Sequence, residues 1–217
     1  PCTCGAEGAG RPDHAMVCKL ISGRITLRHD MVASAWRQII RKSGCATSAE
    51  PAYGGLVSRQ QRRATTGLQR GDILAVLPSG RVVVLDCVVT HPAAVTYVRA
   101  AAKVSGSAAA RAEQLKRREF EAHQGAVGFE FVPLAVESFG RLGKAASRFL
   151  SDLGDIAAAS GRADKAAFVR TARQELSCAL CRGNGLAYGA SAFGVARAVG
   201  RAFMGGCDHP LDEAGAV

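Results

Sequence analysis

The sequence predicts a mixed α/β domain of the α+β kind, a small mixed sheet flanked by helices, and three observations carry that expectation. Residues 70–90 hold two β-rich apolar runs either side of Pro78-Ser79-Gly80, a triplet that suits a three-residue hairpin loop with Gly in the left-handed position. Stretches at 29–43 and 142–156 repeat apolar residues at helical spacing. An alternating run, Val127, Phe129 and Phe131, reads as one more strand after a long helical pattern. A chain of 217 residues is long enough for one well-cored domain with an appendage.

At the N-terminus, Cys2, Cys4, His14 and Cys18 are spaced C-x-C-x9-H-x3-C. Three thiols and an imidazole in so short a span have the composition of a closed tetrahedral zinc site, with Gly5, Gly8 and Gly10 letting the loop turn round an ion. Unpaired thiols and a surface histidine are the competing reading. Residues 1–24 are accordingly expected to form a CCHC zinc knuckle. Arg11-Pro12-Asp13 has the look of half a nuclease motif, but no strand follows it and it is set aside.

In the helix expected over 29–43, Met31, Val32, Ala35, Trp36, Ile39 and Ile40 share one stripe opposite Arg37, Gln38, Arg41 and Lys42. Asp30 would stand in its first turn, where the helix dipole favours an acid, and Gly44 would stop it. A weak strand is expected at 45–50. Some 20 residues of Gly, Ser, Gln and Arg follow, carrying Arg59, Arg62, Arg63 and Arg70, which suit a phosphate-tracking arm as well as they suit a solvated loop.

The hairpin loop fixes a register. If Leu77 faces Arg81, then Ile73 faces Leu85 and Asp72 faces Asp86, all other positions of both strands being apolar, as in central strands covered on both sides. Two opposed carboxylates destabilise a sheet unless a cation sits between them, so the pair points to a metal site. For either Asp alone, pairing with a buried Arg or a backbone amide competes with that reading.

Beyond Thr90-His91-Pro92 the pattern is helical to about His123, with Ala110, Leu115 and Phe120 for packing and Arg111, Lys116, Arg117 and Arg118 on its basic face. The strand at Val127, Phe129 and Phe131 is expected to end at Pro133. Leu142, Ala145, Ala146, Phe149, Leu150, Leu153 and Ile156 form a helical stripe, and two more helical segments are expected at 163–181 and 190–203. Cys178, Cys181, Cys207 and His209 could make a second zinc set, although the helical setting of the first pair favours buried thiols. From Gly205 the tail has the composition of a disordered segment.

The excess of 28 Lys and Arg over 18 Asp and Glu favours an anionic partner such as nucleic acid. No signal peptide and no run of 18 apolar residues is present, so nothing in the chain anchors it in a membrane, and its eight Cys suit reduced thiols or zinc ligands better than disulfides. Because it begins at Pro1, the chain is expected to be a piece of a longer polyprotein.

Taken together, Cys2, Cys4, Asp13-His14 and Cys18, Leu27-Arg28-His29-Asp30, Glu50-Pro51, Arg70-Gly71-Asp72, Asp86 with Val88-Val89-Thr90, Lys116 to Phe120, Phe131-Val132-Pro133 and Glu137-Ser138-Phe139-Gly140 resemble, in order and spacing, the restriction-like endonuclease region of certain non-LTR retrotransposon polyproteins. The resemblance covers residues 2 to about 150. It implies a PD-(D/E)xK nuclease core over 25–160, preceded by the knuckle and followed by a helical extension over 161–204 and the tail 205–217. It implies a Mg²⁺-dependent enzyme that nicks target DNA to prime reverse transcription, and as partners DNA, the element's RNA and the reverse transcriptase domain of the same polyprotein, in the nucleus. A degenerate copy that binds nucleic acid without cutting it is the alternative.

Carried over residue by residue, Asp72 matches the acid of the PD motif and Asp86 the second acid. Val88 stands where the family's lysine would, and the family moves that lysine to the next helix, before an aromatic. Lys116 with Phe120 fits, with Lys103 as a competitor. Gly71 and Phe120 depart from the usual Pro and Tyr. Asp72 and Asp86 would then hold one or two Mg²⁺ that activate a water and neutralise the scissile phosphate, with Lys116 assisting. A structural Zn²⁺ in the knuckle, with the arginines at 59, 62, 63, 70, 117 and 118, would position DNA through its phosphates.

Overall fold

The structure is a computed structural model that describes residues 4, 12–49, 71–124 and 130–204. Cys2, Arg59, Arg62, Arg63, Arg70, Val127, Phe129, Cys207, His209 and the tail 205–217 lie outside these residues. A four-stranded mixed sheet, in the order β1-β2-β3-β4, is flanked by helices, as the sequence predicts. Its strands are β1 (Ala46–Ala49), β2 (Ile73–Val76), β3 (Val82–Thr90) and β4 (Glu130–Glu137). The first three are joined antiparallel and β4 runs parallel to β3. Parallel neighbours need a crossover, and the chain between them supplies it as a short helix α2 (Val98–Ala101) and a longer one, α3 (Ser107–Gln124).

Helix α1 (Ser22–Ser43) buries Val32, Trp36, Ile39 and Ile40 against the sheet and against α4 (Lys144–Ala159), whose own stripe buries Ala146, Phe149, Leu150 and Leu153. Trp36 is fully buried and its ring centroid lies 6.4 Å from that of Phe149, so truncating it would cost about 3–5 kcal/mol. Gly44 ends α1 at φ 101°, a left-handed conformation that releases the chain into β1. The expected start at residue 29 is overturned. The helix begins at Ser22, which leaves Asp30 mid-helix and extends the buried stripe back to Arg28, four residues before Val32. Packing extends it: the last helix, α5 (Lys165–Met204), crosses α1 where Gly183 has no side chain to collide with Arg28.

Four other expectations change. The helix read from beyond Pro92 to His123 is broken between α2 and α3, with Gly106 at φ 83°, and among the described residues of α3 Ala108, Ala109, Ala112 and Glu113 are buried while Leu115 is exposed. Pro133 does not end β4, which runs on to Glu137, because an edge strand tolerates a missing N–H. The two segments expected after residue 163 are one helix of 40 residues. Cys178 and Cys181 are exposed on α5 rather than buried.

Core covering is also uneven. Ile73, Ala75, Val83 and Leu85 belong to the main core under α1, α4 and α5. The other face carries two small clusters: Leu74, Val84, Phe131 and Phe120, with the two phenyl rings stacked at 4.2 Å, and Val88 and Ala135 under Ala109 and Ala112 of α3. Both faces are covered as expected at Val84 and Ala135, but that cover thins out toward Val76, which is exposed.

Candidate functional site

The register of the hairpin is the one expected: Ile73 pairs with Leu85, Leu74 with Val84, Ala75 with Val83 and Val76 with Val82. Leu77 donates its N–H to Arg81 O at 2.9 Å. The pairing stops there. β3 continues beside β4 as far as Thr90 opposite Glu137, so it outruns β2 by five residues, and the side of Cys87 that β2 would cover has no strand against it.

Side chains take the strand's place. Cys87 N–H donates to Asp72 Oδ2 at 2.6 Å, and the Cys87 carbonyl lies 3.0 Å from His29 Nε2 of α1. Asp72 N–H turns to Leu85 O at 3.0 Å, so Asp72 sits one residue beyond the ladder instead of squarely opposite Asp86, a correction to the simple register. The backbone-amide role weighed against the metal is thus one that Asp72 does fill.

Each acid also has a cationic side chain. Lys116 Nζ lies 3.1 Å from Asp86 Oδ2, and His29 Nε2 lies 3.1 Å from Asp72 Oδ2. Lys116 reaches Asp86 because α3 crosses the thinly covered face, where Phe120, four residues on, stacks on Phe131. Lys103, exposed in the turn after α2, makes no ion pair with either acid. Arg117 and Arg118 are exposed beside Lys116 on α3.

The electrostatics are asymmetric. Burial pushes the Asp86 carboxyl above its ordinary value, with Asp72 adding to the rise and Lys116 opposing it. Burial pulls Lys116 down, but the Asp86 carboxylate more than offsets this and the ammonium ends above its usual range. The hydrogen bond to Asp72 is the main cause that lifts His29 to about 9, against burial. Low-dielectric surroundings and a neighbouring acid act on Asp86 in the same direction, which is how paired carboxylates at catalytic sites behave. The donors assembled here, two carboxylates and a peptide carbonyl, are hard oxygens of the kind that suit Mg²⁺ or Mn²⁺.

A second polar cluster lies at the N-terminus. Cys4, His14 and Cys18 hold their donor atoms within 4.8 Å of one another and could hold a metal ion, the one group of three or more such side chains found this close among the described residues. Cys4 Sγ and His14 Nε2 are 3.1 Å apart. His14 and Cys18 are buried. Asp72, Asp86 and His29 do not bring all three donors within that distance.

Sequence reasoning missed the residues that join this cluster to the core. Asp13, set aside above, stands in a 3-10 turn (Pro12–Met16), and its Oδ2 is 2.9 Å from Nε2 of buried His91. His91 Nδ1 is 2.7 Å from Ser138 Oγ, and Asn184 donates to Ser138 O at 2.8 Å. Arg28, 2 % exposed, donates to Asn184 Oδ1 and to the Met16 carbonyl and sulfur, and burial lowers its pKa. The signal for Arg28 was present in its spacing to Val32. Nothing in the spacing of Asp13, His91 and Ser138 marks them as partners.

No protein-family model matches the chain, and no curated protein matches it at a significant level.

Proposed function

We propose that this chain is a metal-dependent DNA endonuclease domain of the restriction-like type found in non-LTR retrotransposon polyproteins. The observation that carries the reading is the gathering of two acids and one lysine at the end of the hairpin: Asp86 on β3 beside Lys116 at 3.1 Å, and Asp72, just before β2, accepting the N–H of Cys87, the residue after Asp86. Mg²⁺ bound by Asp72 and Asp86 would activate a water and neutralise charge on the scissile phosphate. Lys116 then stabilises the negative charge that grows as the P–O bond breaks, and Arg117 and Arg118 hold the backbone. Zinc, with Cys2 as fourth ligand to Cys4, His14 and Cys18, would fix the N-terminal knuckle against the core. RNA of the element, its reverse transcriptase domain and a nuclear location belong to the same reading.

A second reading is a nucleic-acid-binding module that cuts nothing, favoured by the fact that each acid already has its own protein cation. Nicking of supercoiled plasmid with Mg²⁺, wild type beside Asp86→Ala, separates the two. Nicking that Asp86→Ala abolishes supports the enzyme, and a wild type that binds DNA without nicking it supports the module. In either case affinity should fall steeply between 50 and 200 mM salt, as for any surface that neutralises several phosphates.

A further inference from the structure

We propose that His29 is a metal ligand of the hairpin centre, and that with this nitrogen the centre takes Mn²⁺ in preference to Mg²⁺. The inference rests on the nuclease reading only in taking Asp72 as a ligand. It begins with an electron-pair problem. His29 Nε2 faces two oxygens that are acceptors, Asp72 Oδ2 at 3.1 Å and Cys87 O at 3.0 Å. The other ring nitrogen, Nδ1, is 3.1 Å from a second carboxylate, Asp30 Oδ1. A proton on Nε2 answers the problem in the free protein, where the imidazolium donates toward both oxygens while Nδ1–H goes to Asp30. A divalent ion that displaces the Nε2 proton would meet the same three atoms, with Nδ1–H still on Asp30.

The spacing fits the ion. Bonds of about 2.1 Å at right angles set neighbouring ligands about 3.0 Å apart, which is the separation of Nε2 from each oxygen. The surroundings fit as well, because ligating histidines almost always give their second N–H to a carboxylate, and Asp30 is in place to take it. The Cys87 carbonyl is held rigidly, since the same residue's N–H is fixed by Asp72 at 2.6 Å. A centre of oxygens alone suits Mg²⁺, whereas one imidazole among the oxygens raises affinity for first-row transition ions. The sequence placed Asp30 in a first helical turn, where the helix dipole would favour an acid; mid-helix, it lies where it can orient His29 instead.

The test uses the full chain, loaded with zinc so that the N-terminal cluster is filled, and no DNA. Mn²⁺ is titrated in and followed by its electron paramagnetic resonance, with Mg²⁺ as competitor, for wild type, His29→Ala, His29→Gln and Asp72→Asn. Wild type should bind Mn²⁺ at least about tenfold more tightly than Mg²⁺, and its bound ion should show hyperfine coupling to one ¹⁴N ligand. His29→Gln should lose that coupling and most of the Mn²⁺ preference, about tenfold, while Mg²⁺ affinity changes little. His29→Ala should do the same, and the glutamine variant keeps the test valid if the alanine variant unfolds. Bound Mn²⁺ with no nitrogen coupling in wild type, or an unchanged preference in His29→Gln, overturns the assignment. So does Mn²⁺ affinity that Asp72→Asn leaves intact, because the ion would then lie elsewhere. Nicking is not the readout, so a chain that binds Mn²⁺ through His29 but never cuts DNA upholds this ligand and refutes the nuclease reading alone.

Discussion

The molecule has two polar clusters built on opposite plans. At the N-terminus, soft and borderline donors from Cys4, His14 and Cys18 already lie within 4.8 Å of one another, two of them buried. At the hairpin end, hard donors are distributed, and Asp86 and Asp72 are each held by a cation of the protein, Lys116 and His29. On the reading proposed above, the first cluster would serve structure, because its soft and borderline donors are already assembled to close round one ion. On the same reading the second would serve chemistry, since an ion or phosphate could exchange places with the protein's own cations. The comparison therefore predicts that removing a donor from the first cluster loosens the fold locally, and that removing one from the second stops a reaction while the fold stands.

The largest expected effect is at the hairpin. Asp86→Ala and Asp72→Ala should lower plasmid nicking by about 10³-fold or more, because each removes metal-binding charge from the reacting phosphate. DNA binding, read by filter retention or anisotropy, should stay equal or tighten, since less negative charge faces the backbone. Parallel losses of binding and cutting would break the comparison by making the acids structural. Next comes Cys18→Ser, which should take zinc content from about one per chain to none, with the sheet's circular dichroism retained. Zinc that stays in Cys18→Ser would remove the N-terminal cluster from the argument.

Smaller, and more discriminating, is the contrast of two lysines. Lys116→Ala should slow nicking by about 10²-fold and Lys103→Ala by less than about twofold, as only the first touches an acid. Equal effects would mean that the α3 lysine is a partner of Asp86 in the fold and nothing more.

What the sequence made legible follows from the range over which each feature is determined. The β2–β3 register was readable because a tight loop sets it locally, and Gly44, Trp36 and the Phe149 stripe follow from spacing alone. The way the ladder ends was not. It depends on β3 outrunning β2, and that is decided by β4, which arrives 40 residues later and runs through Pro133. The start of α1 was misplaced for a similar reason. Arg28 stands at helical spacing to Val32, but only Gly183, far along the chain, lets two helix backbones approach and close over it. His29 and His91 owe their partners to the same long-range packing, so residue type marked them as titratable while sequence offered nothing on which acid each would meet. Asp13 was passed over because its motif has no strand, yet it ties the N-terminal turn Pro12–Met16 to His91.

The smallest effect concerns Glu113, a buried acid that belongs to neither cluster and so serves as their control. Its Oε1 accepts the N–H of Ala145 at 3.0 Å and of Ala146 at 3.4 Å, closing the first turn of α4, where side-chain caps are otherwise missing. Gly143 is required beside it, because a Cβ there would collide with the carboxylate. Burial raises the Glu113 carboxyl above its ordinary 4.5, more than the two amides and the nearby Arg117 and Lys144 lower it. The folded state therefore holds this proton more tightly than the unfolded chain does. Its contribution to stability is fully present below about pH 4.5 and is lost as pH rises through the raised folded value. Glu113→Gln keeps an oxygen for the two amides and cannot ionise, so between about pH 4 and 7 its melting temperature should fall less with rising pH than wild type's, by about 1–3 °C. Asp86 shares the same dominant cause, burial, but there a substitution should cost activity at every pH. If Glu113→Gln lost nicking and left the pH dependence of melting unchanged, burial would not separate the fold's acids from the site's, and the contrast between the clusters would have to rest on the lysine alone.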